Sequence, residues 1–412
     1  MKIETIKFYS IQPVRKPSLY FKNATDSFVA SSFDESILRK RNILKTDLTT
    51  FFTDISSKIF ENKKEQQDFF NLLNNQYISL SSSCYTDLNN PASAVAVELE
   101  PCNSTAKNLS LLDDKIRRGK GVGINFSTFE NPTDEIKKIN QFFKYKEDKV
   151  LRPPAGIALL DINHPKIMDF IQLKDNEDFS NWCFDLSVVV DDDFMNKVKN
   201  KDKSALAIYN QLLKSMLKKG EPGIIFSTNK NYICDSCACK ELKTNEELVL
   251  GHVNLAKFYN NGKFDYEKLK SSTKFLSKAM EKISPDYSIG VVGYQDLLTK
   301  MNLKYGSDDA LKLLENIIKT MKQNTKSIAI APSGTTSRLL KTTPSIEPKE
   351  ETGYLDELKT IAIIQKQIDG QISKTINLKS VATLDDIDYI VQNAYSMGLK
   401  GITVFPLATK NI

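Results

Sequence analysis

The chain has 412 residues, 41% of them hydrophobic, with 57 basic and 51 acidic side chains and a net charge of +6. That length can bury a large core, in one big domain or two to three ordinary ones. The charges interleave and Lys-rich runs such as 197–201 are brief, which argues against nucleic acid as a partner and leaves anionic small molecules such as nucleotides compatible.

Nothing near residues 1–5 has the basic-then-apolar pattern of a signal peptide, and no run approaches the roughly 18 apolar residues of a membrane span. Six dispersed cysteines do not form a disulfide framework, so a reducing, cytoplasmic setting is expected. No linker, repeat or low-complexity tract interrupts the chain, which favours one main domain.

In chain order, the first clear element is a helical segment near Ser56–Leu73, where Ile59, Phe60, Phe69, Phe70, Leu72 and Leu73 recur at roughly helical spacing. From Ser79 onward, β-like runs alternate with helical ones. A glycine loop, Arg117–Ile124, contains Gly121 and Gly123 and could let a ligand approach the backbone, although it lacks a dinucleotide fingerprint. Gly156–Ile162, Ser187–Val190 and Gly223–Phe226 are apolar, β-branched and bounded by turn formers, as buried strands are. Between them, Lys203–Lys219 carries Leu206, Tyr209, Leu213, Met216 and Leu217 on one stripe and stops at Gly220, a suitable C-cap.

Next comes the densest chemistry, Cys234-Asp-Ser-Cys237-Ala-Cys239-Lys-Glu241. Zinc is one reading, but a second Cys or His pair is missing. Buried structural thiols are another. The third is a reactive thiol, Cys239, beside an acid/base carboxylate, Glu241, because positions two apart face the same side of an extended strand.

Farther on, Ser307 can cap a helix carrying Leu311, Leu314, Ile318 and Met321. The strand Ser327–Ile330 then feeds Ala331-Pro332-Ser333-Gly334-Thr335-Thr336-Ser337 into a helix start. Free backbone N–H groups and hydroxyls there would suit a phosphate, while a plain hydroxyl-rich turn is the simpler alternative. Thr383 can cap a helix ending at Gly398, followed by the strand Gly401–Phe405. Strand–helix alternation argues for α/β architecture without separating a barrel from an open sheet.

The order of these motifs resembles the catalytic large subunit of ribonucleotide reductase. Leu80-Ser-Ser-Ser-Cys84-Tyr85 is similar to that family's Ser-Ser-Cys strand, Arg117–Ser127 to its glycine-rich segment, and Asp161-Ile-Asn-His-Pro165 to its Asp-x-x-His-Pro. Ser187–Met195, Gly220–Phe226, Val253–Phe258, Ala331–Ser337 and Ser345-Ile-Glu-Pro348 continue the series.

The resemblance implies a ten-stranded α/β barrel of two five-stranded halves, antiparallel to each other, with a finger loop through its centre. The barrel would occupy residues 79–412, preceded by a mainly helical segment, 1–78, too short for an ATP-cone. Cys239 would become a thiyl radical that takes the ribose 3′-hydrogen, Glu241 would be the base on the 3′-hydroxyl, and Cys84 one of two reducing thiols. Ser83, Gly121, Gly123 and Pro332–Ser337 would hold sugar, base and phosphates of a ribonucleoside di- or triphosphate. A thioredoxin-like protein or small dithiol would reset the enzyme, and a homodimer is compatible.

Three departures matter. Cys237 stands where the family's finger loop has Asn, so Cys84, Cys237 and Cys239 form the candidate thiol set. Leu248 stands where the second reducing cysteine is expected, which admits a catalytically altered or inactive nucleotide-binding homologue as one alternative; a large subunit needing a separate radical-generating subunit is another. The Asp-Ser pair of the specificity-effector site has only Asn103-Ser104 and Asp113-Asp114 as weak substitutes.

No Tyr-Tyr pair is present to relay a radical from a separate subunit, and Val291-Val-Gly-Tyr294 lies mid-chain rather than in a C-terminal glycyl motif. Ala394–Phe405 is similar to the last barrel strand of the adenosylcobalamin-dependent class, so adenosylcobalamin is the expected cofactor and no protein-bound metal is expected.

Overall fold

The computed structural model describes residues 33–101, 105–150, 152–368 and 370–406. The segment expectation for 1–78 can be followed only from residue 33, and Asn103-Ser104 lies outside the described residues.

Four helices come early: α1 (Ser36–Lys40), α2 (Leu48–Ile59), α3 (Lys63–Asn74) and α4 (Ser82–Thr86). The expected single helix near 56–73 is two. Phe60 takes an extended backbone, and the Asn62 side chain accepts from the N–H groups of Lys64 and Glu65, starting a new helix.

The strands are β1 (Ile78–Leu80), β2 (Ala94–Ala96), β3 (Gly121–Asn125), β4 (Gly156–Asp161), β5 (Phe184–Val190), β6 (Gly223–Phe226), β7 (Glu247–Asn254), β8 (Tyr259–Asn260), β9 (Lys263–Phe264), β10 (Tyr287–Val292), β11 (Thr375–Leu378) and β12 (Gly401–Pro406). β2 to β6 are parallel neighbours in chain order. β7 runs parallel to β10, and β11 parallel to β12. The two sets meet antiparallel at β2–β7 and β6–β12. β8 and β9 form a separate ribbon.

Regular pairing leaves a path from β10 round to β11, and two single bridges join its ends. Ile289 pairs with Ile328, and Ile330 pairs with Ile372 just before β11. The Ser327–Ile330 run is therefore a stave held by isolated bridges rather than a regular strand. With it the ring has the expected two five-stave halves, each parallel within itself and opposed to the other.

Alternation sorts the side chains. Ala158 and Leu160 of β4 face the outer core against the helices, while Ile157 and Leu159 face inward. Val249 and Val253 of β7 face outward, Leu248 and Leu250 inward. Helix ends follow the sequence: Asp202 caps Lys203–Lys219 and Gly220 closes it at φ 74°. Ser307 caps Asp308–Lys322, and a Thr383–Asp386 capping box opens Leu384–Ser396.

Candidate active site

The loop between β6 and β7 fills the barrel. Its strands pair as a narrow hairpin, with Cys234 opposite Glu241 and the Leu242 N–H donating to the Ile233 carbonyl. One face (Tyr232, Cys234, Ala238) packs on Ile157, Leu159, Val189 and Ile225 of the first half. The other (Ile233, Cys239, Leu242) packs on Ala94, Ala96, Leu248, Leu250, Ala329 and Ala331.

Room for it comes from β3. A Cβ at Gly123 would stand 1.7 Å from the Cys234 carbonyl oxygen, and one at Gly121 would stand 2.2 Å from Ser236 Oγ. These glycines admit the finger loop, which lies against their open faces.

Asp235 shapes the fingertip. Its carboxylate accepts from the N–H groups of Cys237 (2.8 Å), Cys239 (2.7 Å) and Lys240 (2.8 Å), while Ala238 turns at φ 53°. This bend removes the extended geometry that would align Cys239 with Glu241. Cys239 has no exposed surface and faces the alanine-rich wall. Glu241 is exposed and accepts from Asn229 Nδ2 at 2.9 Å. It borders a cavity of about 770 Å³ at the mouth where the loop enters, shared with Lys240, Lys243, Lys326 and Gln367. The thiol thus faces the wall of small residues, and the carboxylate borders the mouth.

Burial, then the nearby Asp235 carboxylate, push the Cys239 thiol well above its ordinary pKa. Cys237, half-buried at the tip, is pushed up to about 12 by burial and Asp235, against an opposing pull from the Arg152 guanidinium. Both are S–H groups at neutral pH. Among the described residues no three His, Cys, Asp or Glu side chains are grouped to hold a metal ion.

Cys84 does not lie in the barrel wall. β1 and β2 both pair antiparallel with β7, on the side away from β10. The Ser81 N–H donates to the Leu250 carbonyl and the Ser93 N–H to the Leu248 carbonyl. Residues 82–92 are thus an excursion from one interrupted stave, and α4 carries Ser83 and Cys84 within it. The Cys84 thiol sits 3.3 Å from Ser81 Oγ and 3.7 Å from the Pro91 carbonyl oxygen, packed in the outer core, and burial pushes it up to about 11. The residue directly across from Leu248 is Ala94. At this register both facing positions are apolar, and Cys84 lies outside it, its thiol 4.0 Å from the Leu250 carbonyl oxygen of β7.

At the opposite mouth from Glu241, Ala331–Ser337 leaves its stave. Ser333 turns at φ 54° and the helix Gly334–Leu339 begins; Pro332 to Thr335 are partly exposed, Thr336 and Ser337 buried. Thr336 Oγ1 lies 3.4 Å from Nδ1 of His252, on the inward row of β7. Sequence reading missed His252, Arg152 and Asp235. Only Asp235 had a signal, its place inside the cysteine cluster.

A family model for the ribonucleotide reductase barrel domain matches residues 115–207, 198–327 and 349–405. The chain belongs to the ribonucleotide reductase family. A vitamin B12-dependent ribonucleoside-diphosphate reductase of Thermoplasma acidophilum is 24% identical over 77% of this chain and 61% of its own length. One of Mycobacterium tuberculosis is 21% identical over 62% and 56%. The chain thus spans about three fifths of these relatives' length. The class Id ribonucleotide reductase alpha subunit of Actinobacillus ureae superposes with a TM-score of 0.76 at 16% identity, over 91% of this chain and 96% of that one. That agreement establishes the ribonucleotide reductase fold.

Proposed function

We propose that this ribonucleotide reductase homologue reduces ribonucleotides to 2′-deoxyribonucleotides by a thiyl radical at Cys239. Ribonucleoside diphosphates are the first choice of substrate, as the names of the B12-dependent relatives suggest. The observation carrying the reading is the Cys239 thiol: neutral, without exposed surface, and presented by a finger loop inside the barrel. A hydrogen atom leaves an S–H, so burial that suppresses the thiolate favours this chemistry, and an apolar wall keeps water from the radical.

Adenosylcobalamin is the proposed cofactor. The residues fit a radical source at Cys239, where alanines 94, 96, 329 and 331 leave little bulk around the thiol. When bound, that cofactor supplies the carbon-centred radical that takes the thiol hydrogen. Cys239 then takes the ribose 3′-hydrogen. Glu241 is the base on the 3′-hydroxyl, a role that requires exchanging its bond to Asn229 for one to substrate. The C2′–O bond breaks and water leaves, two thiols supply two electrons and two protons as they become a disulfide, and Cys239 returns its hydrogen atom to C3′, which restores the thiyl radical. Since Ala94 faces Leu248, these thiols are Cys237 with Cys234, or an external dithiol or thioredoxin-like protein. Pre-reduced protein that turns over once without added reductant identifies the first source.

The Ala94–Leu248 pair also favours a second reading, a homologue that binds nucleotides without turnover. Anaerobic assay with adenosylcobalamin, a dithiol and both phosphate levels separates the two. Deoxynucleotide formation that Cys239→Ser abolishes, with nucleotide affinity retained, supports the enzyme. Activity surviving in Cys239→Ser overturns it.

A further inference from the structure

The inward row of β7 runs Leu248, Leu250, His252, Asn254. Leu248 and Leu250 share the Cys239 cluster. At about 3.3 Å per residue, His252 lies roughly 13 Å along the strand from Leu248, toward the mouth where Ala329 and Ala331 lead into Ser333. A nucleotide stretching from the thiol to the 331–337 loop passes this side chain.

His252 is 2% exposed, and its Nε2 is buried with no hydrogen-bond partner. An unsatisfied buried nitrogen is destabilising, so its presence asks for a reason. Its register partner on β10 is Gly290, where a Cβ would come 3.3 Å from the ring Cδ2 and 3.8 Å from Nε2. Glycine there places no side chain against the buried Nε2 edge of the ring. On the other edge, Nδ1 faces Thr336 of the loop itself.

We propose that His252 binds the phosphate end of the nucleotide, with Nε2–H donating to a phosphate oxygen while Nδ1 accepts from the Thr336 hydroxyl. The assignment rests on the function proposed above and adds a side-chain ligand to the loop's backbone and hydroxyl groups. Burial lowers the imidazole pKa to about 4, so the ring serves as a neutral donor across the working range. It orients phosphate without adding a buried charge.

The test compares His252→Phe and His252→Gln with the parent chain, measuring dissociation constants for a ribonucleoside diphosphate and the matching unphosphorylated ribonucleoside, together with melting temperature. His252→Phe should weaken the diphosphate about tenfold, equivalent to roughly 1.4 kcal/mol, with nucleoside binding unchanged. His252→Gln, which restores a donor, should recover part of the loss. Melting temperature in His252→Phe should not fall, because a partnerless nitrogen has been removed. Equal effects on both ligands, or none on either, overturn the assignment while leaving the proposed function standing. A parent chain that binds no nucleoside diphosphate overturns both. If His252→Phe does not fold, the proposal stands or falls on whether His252→Gln selectively changes diphosphate affinity.

Discussion

Cys84 and Cys239 are both fully buried but differ in what they face, and that difference sets an expectation for which of them the chemistry uses. Cys239 looks onto the wall of small residues at the barrel centre, while Cys84 is packed under the excursion that interrupts the β1–β2 stave. A thiol held by Ser81 and by the Pro91 and Leu250 carbonyls belongs to the outer core rather than to the cluster around Cys239. Cys84→Ser should therefore leave at least half of parental turnover and nearly unchanged nucleotide affinity, measured beside Cys239→Ser in one anaerobic assay. Loss of turnover in Cys84→Ser comparable to that in Cys239→Ser would show that the excursion opens during catalysis. The local motif Ser-Ser-Cys at 82–84 suggests the opposite role because it matches short family signatures. What it lacks is visible only in pairing: Ser81 and Ser93 occupy successive places along β7, and the residue next to Ser93 is Ala94.

At the scale of elements, the finger loop depends on glycines in the strand that receives it. Gly123 meets backbone, the Cys234 carbonyl, whereas Gly121 meets only the Ser236 side chain. Rotation takes the Ser236 hydroxyl aside and leaves its Cβ, 2.7 Å away, to a small shift of the fingertip, whereas a backbone hydrogen-bonded on both arms of a hairpin has less freedom. Gly123→Ala should therefore displace the finger and abolish turnover, while Gly121→Ala should retain measurable activity and a higher melting temperature than Gly123→Ala. Equal behaviour of the two would mean that the loop is not seated on β3. Much of this level is legible in sequence. β4, β5, β6 and β12 are predominantly apolar runs, and the caps at Asp202, Ser307 and Thr383 obey local hydrogen-bonding rules. β1 and β2 have three residues each, too few for a period to register, and exist through their pairing with β7. The cysteine cluster marked the finger loop, but the Asp235 turn that separates Cys239 from Glu241 rests on contacts a period-two rule does not contain.

For the whole molecule, the question is how a ring with one thin seam stays closed. Regular ladders hold the first half and both half-to-half joints, but between β10 and β11 there are only the Ile289–Ile328 and Ile330–Ile372 bridges. Directly after that seam stands Lys374, with no exposed side-chain surface, its ammonium 2.7 Å from Glu347 and 2.6 Å from Glu357. Glu347 belongs to the Ser345–Pro348 segment beyond the 331–337 loop, and Glu357 to the helix Tyr354–Gln365. The lysine thus ties the last closing stave to the segment that follows the other one. Burial alone would lower its pKa, but the two carboxylates outweigh burial and raise it. A base whose folded pKa is raised adds stability below its unfolded value near 10.4, lost only as pH climbs through the folded value, so the tie holds at any working pH. Removing the cation leaves two buried carboxylates without compensation, a loss of about 3–5 kcal/mol for a broken buried pair. Lys374→Met should accordingly lower stability to chemical denaturant by that order. In native-state hydrogen exchange it should speed the amides of 327–330 and 372–378 while leaving β4 and β5 slow. Uniform acceleration across the barrel would instead mean that the seam opens only with global unfolding, and that closure is distributed round the ring rather than fastened at Lys374.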